Sequence, residues 1–120
     1  MVLVDTSVWV AHLKNGHKTL KKLLLDDGVC CHPFIIGELA CGHLAARTEV
    51  LTLLNQLPMV KTASHEEVLA LIEQRKLMGK GVGYVDLHLL ASSLLGHVRL
   101  WTKDQSLNKI SADFDLHFTG

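Results

Sequence analysis

An aspartate closes the short apolar run "MVLVD", and two hydroxyls, Thr6 and Ser7, follow it at once. Three more acids stand in comparable settings: Glu38 in "PFIIGELACG", Asp86 in "YVDLHLLASSLLG" and Asp104 in "LWTKD". In open parallel sheets, ligands bind beyond the carboxyl ends of the strands. Asp5 ends a strand over 2–5 and Asp104 lies just past one over 98–101, so two distant parts of the chain deliver acids to one sheet edge. Asp86 falls in the first turn of a helix, where the macrodipole favours a carboxylate. It shares a face with Leu90 and Leu94, which turns it toward the protein. Glu38 stands among Phe34, Ile35, Ile36, Leu39 and Ala40, with no base one helical turn away. An ionised glutamate buried there alone costs on the order of several kcal/mol, so it needs a partner, and a cation supplies one.

Each acid also has an ordinary reading. Asp5 caps a helix, Asp86 answers a dipole, Glu38 reaches a rim, and Asp104 occupies a turn. Four such coincidences in one order are harder to accept. Clustered carboxylates suit Mg²⁺ or Mn²⁺, which take hard oxygen ligands and keep several waters. These ions activate water and stabilise charge on attacking and leaving oxygens, and the matching substrate is a phosphodiester. Without a metal, the same carboxylates repel a phosphate.

The elements that must position these acids alternate. "VLVD" (2–5), "VCC" (29–31), "MVKT" (59–62), "VRLW" (98–101) and "FDLHF" (114–118) read as short strands. Helices are expected over 7–14, with Thr6 or Ser7 at the N-cap, over "HKTLKKLLLDD", from Pro33, over "RTEVLTLLNQL", from Ser64 and over "YVDLHLLASSLLG". Ser64 and Glu67 have capping-box spacing. "GKGVG" (79–83) is a loop, and "TKDQSLNKIS" a loop with a short helix. The pattern predicts an α/β fold with a mainly parallel sheet of about five short strands flanked by helices.

The 120 residues are most simply one domain, 1–120, and the 48% hydrophobic content supports an aliphatic core. Twelve basic residues balance twelve acidic ones, which excludes a general cationic coat for nucleic acid but not a local patch. Cys30, Cys31 and Cys41 lack CxxC spacing, so a disulfide framework is not expected and a cytoplasmic setting is. No run approaches the roughly 20 apolar residues of a membrane span, and the start lacks a signal peptide's charged region.

The pieces "VLVDTSVWV", "PFIIGELACG", "GVGYVDLHLLASS" and "LWTKD", in this order, resemble the PIN domain, and most closely the VapC-type ribonuclease toxins of bacterial toxin–antitoxin modules. The resemblance implies a Rossmann-like three-layer fold and an Mg²⁺ site, with Mn²⁺ able to substitute, made by Asp5, Glu38, Asp86 and Asp104. Thr6, Ser7 and Thr102 match hydroxyls that support those acids. It further implies hydrolysis of RNA, often tRNA, leaving a 5′-phosphate; a VapB-like antitoxin that blocks the site; and a homodimer. Some relatives carry a further acid where this chain has Ser106, so a second metal position would rest on Asp104.

Two basic clusters are candidates for RNA phosphates: Lys14, Lys18, Lys21 and Lys22, and Arg75, Lys76 and Lys80 beside the glycine loop. The first reads as a solvated helix face. Zinc is disfavoured because Cys30 and Cys31 point to opposite faces of a strand, and the spacing with His32, Cys41 and His43 matches no finger. Ser92-Ser93 lacks the glycines of a nucleophile elbow, and "GKGVG" lacks a P-loop's terminal hydroxyl residue. The expected function is a metal-dependent endoribonuclease. The alternatives are a catalytically weak PIN-fold module that binds protein or RNA, and a phosphoacceptor domain, for which "VLVDTS" offers one acid rather than a pair.

Overall fold

The computed structural model describes residues 1–119. Three parallel strands, β1 (Val2–Val4), β2 (Val29–Cys30) and β3 (Arg99–Trp101), form a sheet in the order β2-β1-β3. Helices α1 (Thr6–Asn15), α2 (Lys18–Leu25), α3 (Pro33–Ala40), α4 (Arg47–Gln56), α5 (His65–Arg75), α6 (Tyr84–Gly96) and α7 (Gln105–Asp113) surround it. β1 is buried along its length, as a strand covered on both faces must be. Around it pack Trp9, Leu20, Ile35, Leu54, Leu89, Leu90, Leu100 and Leu107, all nearly solvent-free.

The other two expected strands shrink to single parallel bridges, Cys31 with Met59 and Leu100 with His117. Met59 is held between the bonds Cys31 N–H to Pro58 O and Val60 N–H to Cys31 O. The chain then leaves toward the Ser64 cap of α5. The last segment begins at Asp115, whose φ of +56° turns the backbone before it can extend. Leu100 N–H then bonds Leu116 O, and Phe118 N–H bonds Leu100 O. With the bridges included, the spatial order is 59-segment, β2, β1, β3, 117-segment. This is the 3-2-1-4-5 order of doubly wound sheets, whose ligand crevice lies where the order reverses, between β1 and β3.

Local signals set several helix starts. Ser64 Oγ accepts from Glu67 N–H at 3.1 Å and Glu67 Oε1 from Ser64 N–H at 2.9 Å, completing the expected capping box. Pro33 occupies the first turn of α3, and His32 caps it by accepting from Phe34 N–H through Nδ1 at 3.0 Å. That bond fixes the neutral tautomer with its proton on Nε2, which lies 3.2 Å from Ser92 Oγ. Ser92 Oγ also accepts from Ala63 N–H at 3.0 Å, so a buried polar relay joins α3, α6 and the approach to α5. The N-cap of α1 is Asp5, one residue before the expected hydroxyls, because its carboxylate accepts from Thr6 N–H at 2.8 Å.

Candidate active site

Three of the four acids stand at helix N-termini. Asp5 caps α1. Asp104 caps α7, accepting from Leu107 N–H through Oδ1 at 2.9 Å. Asp86 is the third residue of α6, and its Oδ2 accepts a long bond of 3.4 Å from Gly83 N–H. A glycine has no side chain to return that bond, so only half a capping box exists there. The positive ends of three helices thus offset carboxylates that would otherwise repel one another.

Asp5 is the anchor, at 7% exposure. Its Oδ2 accepts from Thr102 Oγ1 at 2.7 Å and Ser7 Oγ at 3.2 Å. Each hydroxyl also accepts a backbone bond from the loop after β3: Asp104 N–H to Thr102 Oγ1 and Lys103 N–H to Ser7 Oγ, both at 3.0 Å. Asp5 N–H bonds Trp101 O at 2.9 Å, extending the β1–β3 ladder to the site. Two carboxyl ends of adjacent strands are therefore stitched together by hydroxyls, as the sequence suggested for Thr102 and Ser7. Thr6 supports a different acid, donating through Oγ1 to Glu38 Oε1 at 3.0 Å.

Glu38 corrects one expectation. It is exposed rather than buried on its apolar helix, and its partner is a hydroxyl. α3 turns Ile35 and Leu39 to the core and leaves Glu38, three residues past one and one before the other, on the open side.

Asp86 is half-buried. Desolvation raises its pKa above the usual carboxylate value; the Gly83 bond opposes this, and the charges of Asp5, Asp104 and Glu38 push it further up. All four acids therefore share one electrostatic neighbourhood. Among the described residues, no three His, Cys, Asp or Glu side chains close tightly enough to enclose a metal ion. Among the described residues, Asp86 Oδ1, Asp104 Oδ2 and Glu38 Oε2 carry no hydrogen bond. An all-oxygen set with lone pairs to spare fits an ion that retains much of its water and binds through one or two carboxylates. It does not fit zinc, and the buried Cys31 thiol, pushed up by burial to about 11, stays protonated.

Of the expected cations, Arg75 and Lys80 line a cleft beside α7, together with Lys109, which the sequence reading did not single out. Lys76 lies outside that lining, in a left-handed C-cap of α5 with φ +55°. Trp9 and Trp101 are core residues, 1% and 7% exposed.

Comparison with known proteins places the chain in a family. Ribonuclease VapC32 from two strains of Mycobacterium tuberculosis, CDC 1551 and H37Rv, is 46% identical over 114 residues, covering 94% of this chain and 92% of that protein. The crystal structure of PAE2754 from Pyrobaculum aerophilum superposes with a TM-score of 0.60 over 90% of this chain and 77% of the other; at 18% identity it speaks to the fold alone. The PIN domain family model matches residues 2–113, and the chain belongs to the PIN domain family.

Proposed function

We propose that the chain is a divalent-metal-dependent endoribonuclease, the toxin of a VapBC-type pair. The carrying observation is that Asp86 is crowded by Asp5, Asp104 and Glu38 while, among the described residues, no basic side chain pairs with any of them. The 46% identity to a protein named a ribonuclease, over nearly the whole of both chains, supports the reading. Asp5, Asp86 and Asp104 would hold Mg²⁺ or Mn²⁺, with Glu38 completing the set. Such an ion supplies an acidified water and neutralises phosphate charge.

The chain's own residues provide the rest. Thr102 and Ser7 lock Asp5 in place from one side, so the carboxylate does not swing when substrate arrives. Glu38, exposed and tethered through one oxygen to Thr6, is free at the other to orient the attacking water and take its proton. Water attacks phosphorus in line, the bond to the 3′-oxygen breaks with that oxygen taking a proton, and a 5′-phosphate remains. RNA, such as tRNA, is the substrate, a VapB-like antitoxin the controlling partner and a homodimer the working state, in the cytoplasm. No helix among the described residues is long and apolar enough to cross a membrane.

The test sets structured RNA against purified protein with Mg²⁺ or with EDTA, beside Asp5→Asn. Cleavage by the parent only, and only with metal, is expected. Equal cleavage by the variant refutes the site. Tight binding of RNA or protein without cleavage points instead to a PIN-fold binding module.

A further inference from the structure

A cleft of about 390 Å³ opens between the end of α5, the glycine loop and α7. Arg75, Lys80 and Lys109 line it, and Asp113 is the acid among its described lining residues. The three cations are exposed, and among the described residues no carboxylate engages any of them. The Arg75 guanidinium lies 4.6 Å from the centroid of the Phe114 ring. That cation–π contact steadies a long side chain whose N–H groups remain donors for an anion. Charge is therefore held in a concavity rather than scattered over a neutral surface.

One residue of the cleft neighbours an acid along the chain. Ser106 lines the cleft and sits in the first turn of α7, two residues beyond the Asp104 cap. The glycine loop is pressed against the same serine: a Cβ on Gly81, whose φ is +80°, would lie 3.2 Å from Ser106 Oγ. This docking brings Lys80 to the α7 side of the loop that leads into Asp86. A ligand crossing the cleft toward the acids would meet cations first and carboxylates last. A polyanion whose charges repeat along a chain suits that order, with a neighbouring group in the cleft and the reacting group at the acids.

We propose that this cleft is a substrate-strand subsite, holding backbone phosphates of single-stranded RNA adjacent to the one that is cleaved. The proposal rests on the ribonuclease reading above. Contacts of this kind set register and orientation without reading base sequence. They also impose a salt dependence. For single strands each neutralised phosphate contributes about 0.7 to the slope of log affinity against log salt.

The experiment measures fluorescence anisotropy of labelled single-stranded RNA in the Asp5→Asn background with Mg²⁺, across a salt series. Arg75→Gln/Lys80→Gln/Lys109→Gln is compared with Lys18→Gln/Lys21→Gln/Lys22→Gln, which removes equal charge from α2. The cleft variant is expected to flatten the slope by about 2 and to weaken binding about a hundredfold at 0.1 M salt, the α2 variant far less. Lys80→Gln/Lys109→Gln keeps the Arg75–Phe114 contact, and should flatten the slope by about 1.4. With an intact Asp5, the cleft variants should raise KM while keeping kcat at saturating RNA. Equal shifts in the cleft and α2 variants, or none in either, overturn the subsite. Cleavage by the parent with unchanged binding by the cleft variants overturns it too, and leaves the ribonuclease reading intact. Binding lost only in the cleft variants supports it, even if the parent fails to cleave.

Discussion

Acid should unfold this protein through His32. The side chain is 0% exposed and neutral, with Nδ1 accepting from Phe34 N–H and Nε2 facing Ser92 Oγ. Desolvation, aided by the neighbouring His88, lowers its pKa from 6.5 to about 4. The unfolded chain then binds the proton more readily than the folded one. The stabilisation is fully present above pH 6.5 and is lost as pH falls from there through about 4. At about 1.4 kcal/mol per unit, the whole loss approaches about 3 kcal/mol, a large share of the roughly 5–15 kcal/mol that holds a domain together. Protonation also sets an N–H at Nδ1 against the Phe34 N–H, so a cap becomes a repulsion. Urea unfolding followed by circular dichroism at pH 7, 5.5 and 4, for the parent and His32→Gln, isolates the effect. Other titrating groups largely cancel in the difference, His88 excepted because it faces His32. The parent should lose about 3 kcal/mol more than the variant between pH 7 and 4. Parallel pH profiles, or a His32 ring resonance titrating near 6.5, would refute the reasoning.

Thr102→Val removes the hydroxyl that donates to Asp5 and accepts from Asp104 N–H. In EDTA it should cost about 1.5–3 kcal/mol, as loss of a hydrogen bond to a charged group does, and cleavage should fall with it; a thermal melt and an RNA assay check both. Asp86→Asn removes a half-buried charge beside three other carboxylates, so without metal it should raise Tm while cleavage is lost. The same variant should lose part of the Mg²⁺-induced Tm rise that binding gives the parent. Gly96→Ala places a Cβ 2.7 Å from Val60 Cγ2 and should destabilise by about 1–3 kcal/mol; pairing it with Val60→Ala should recover part of the melting temperature.

Much of the site was legible because its signals are local. Asp5 and Asp104 follow apolar strands, Asp86 opens a helix, and the hydroxyls of Ser7 and Thr102 stand beside them. Those facts involve residues within a few positions of one another, where backbone geometry leaves few options. The Ser64–Glu67 box was legible for the same reason. Expectations failed where burial or partnership was settled far along the chain. Apolar neighbours suggested a buried Glu38, but the rotation of α3 against the core exposes it and gives it Thr6, thirty-two residues away. Two expected strands had the right composition, yet one departs for a helix cap and the other starts at a left-handed residue, so each keeps a single bridge.

The sequence by itself therefore determined which chemistry is on offer: four acids, three of them at the mouths of elements, hydroxyls near them, and an alternating α/β order. Only tertiary structure decided that Thr102 meets Asp5 across ninety-seven residues, that Ser92 lies beside His32 across sixty, and that Lys109 joins Arg75 and Lys80 in one cleft. Spacing along a chain fixes direction over a turn or two. Proximity beyond that depends on how whole helices pack against the sheet, a sum of many burial terms that no short stretch contains.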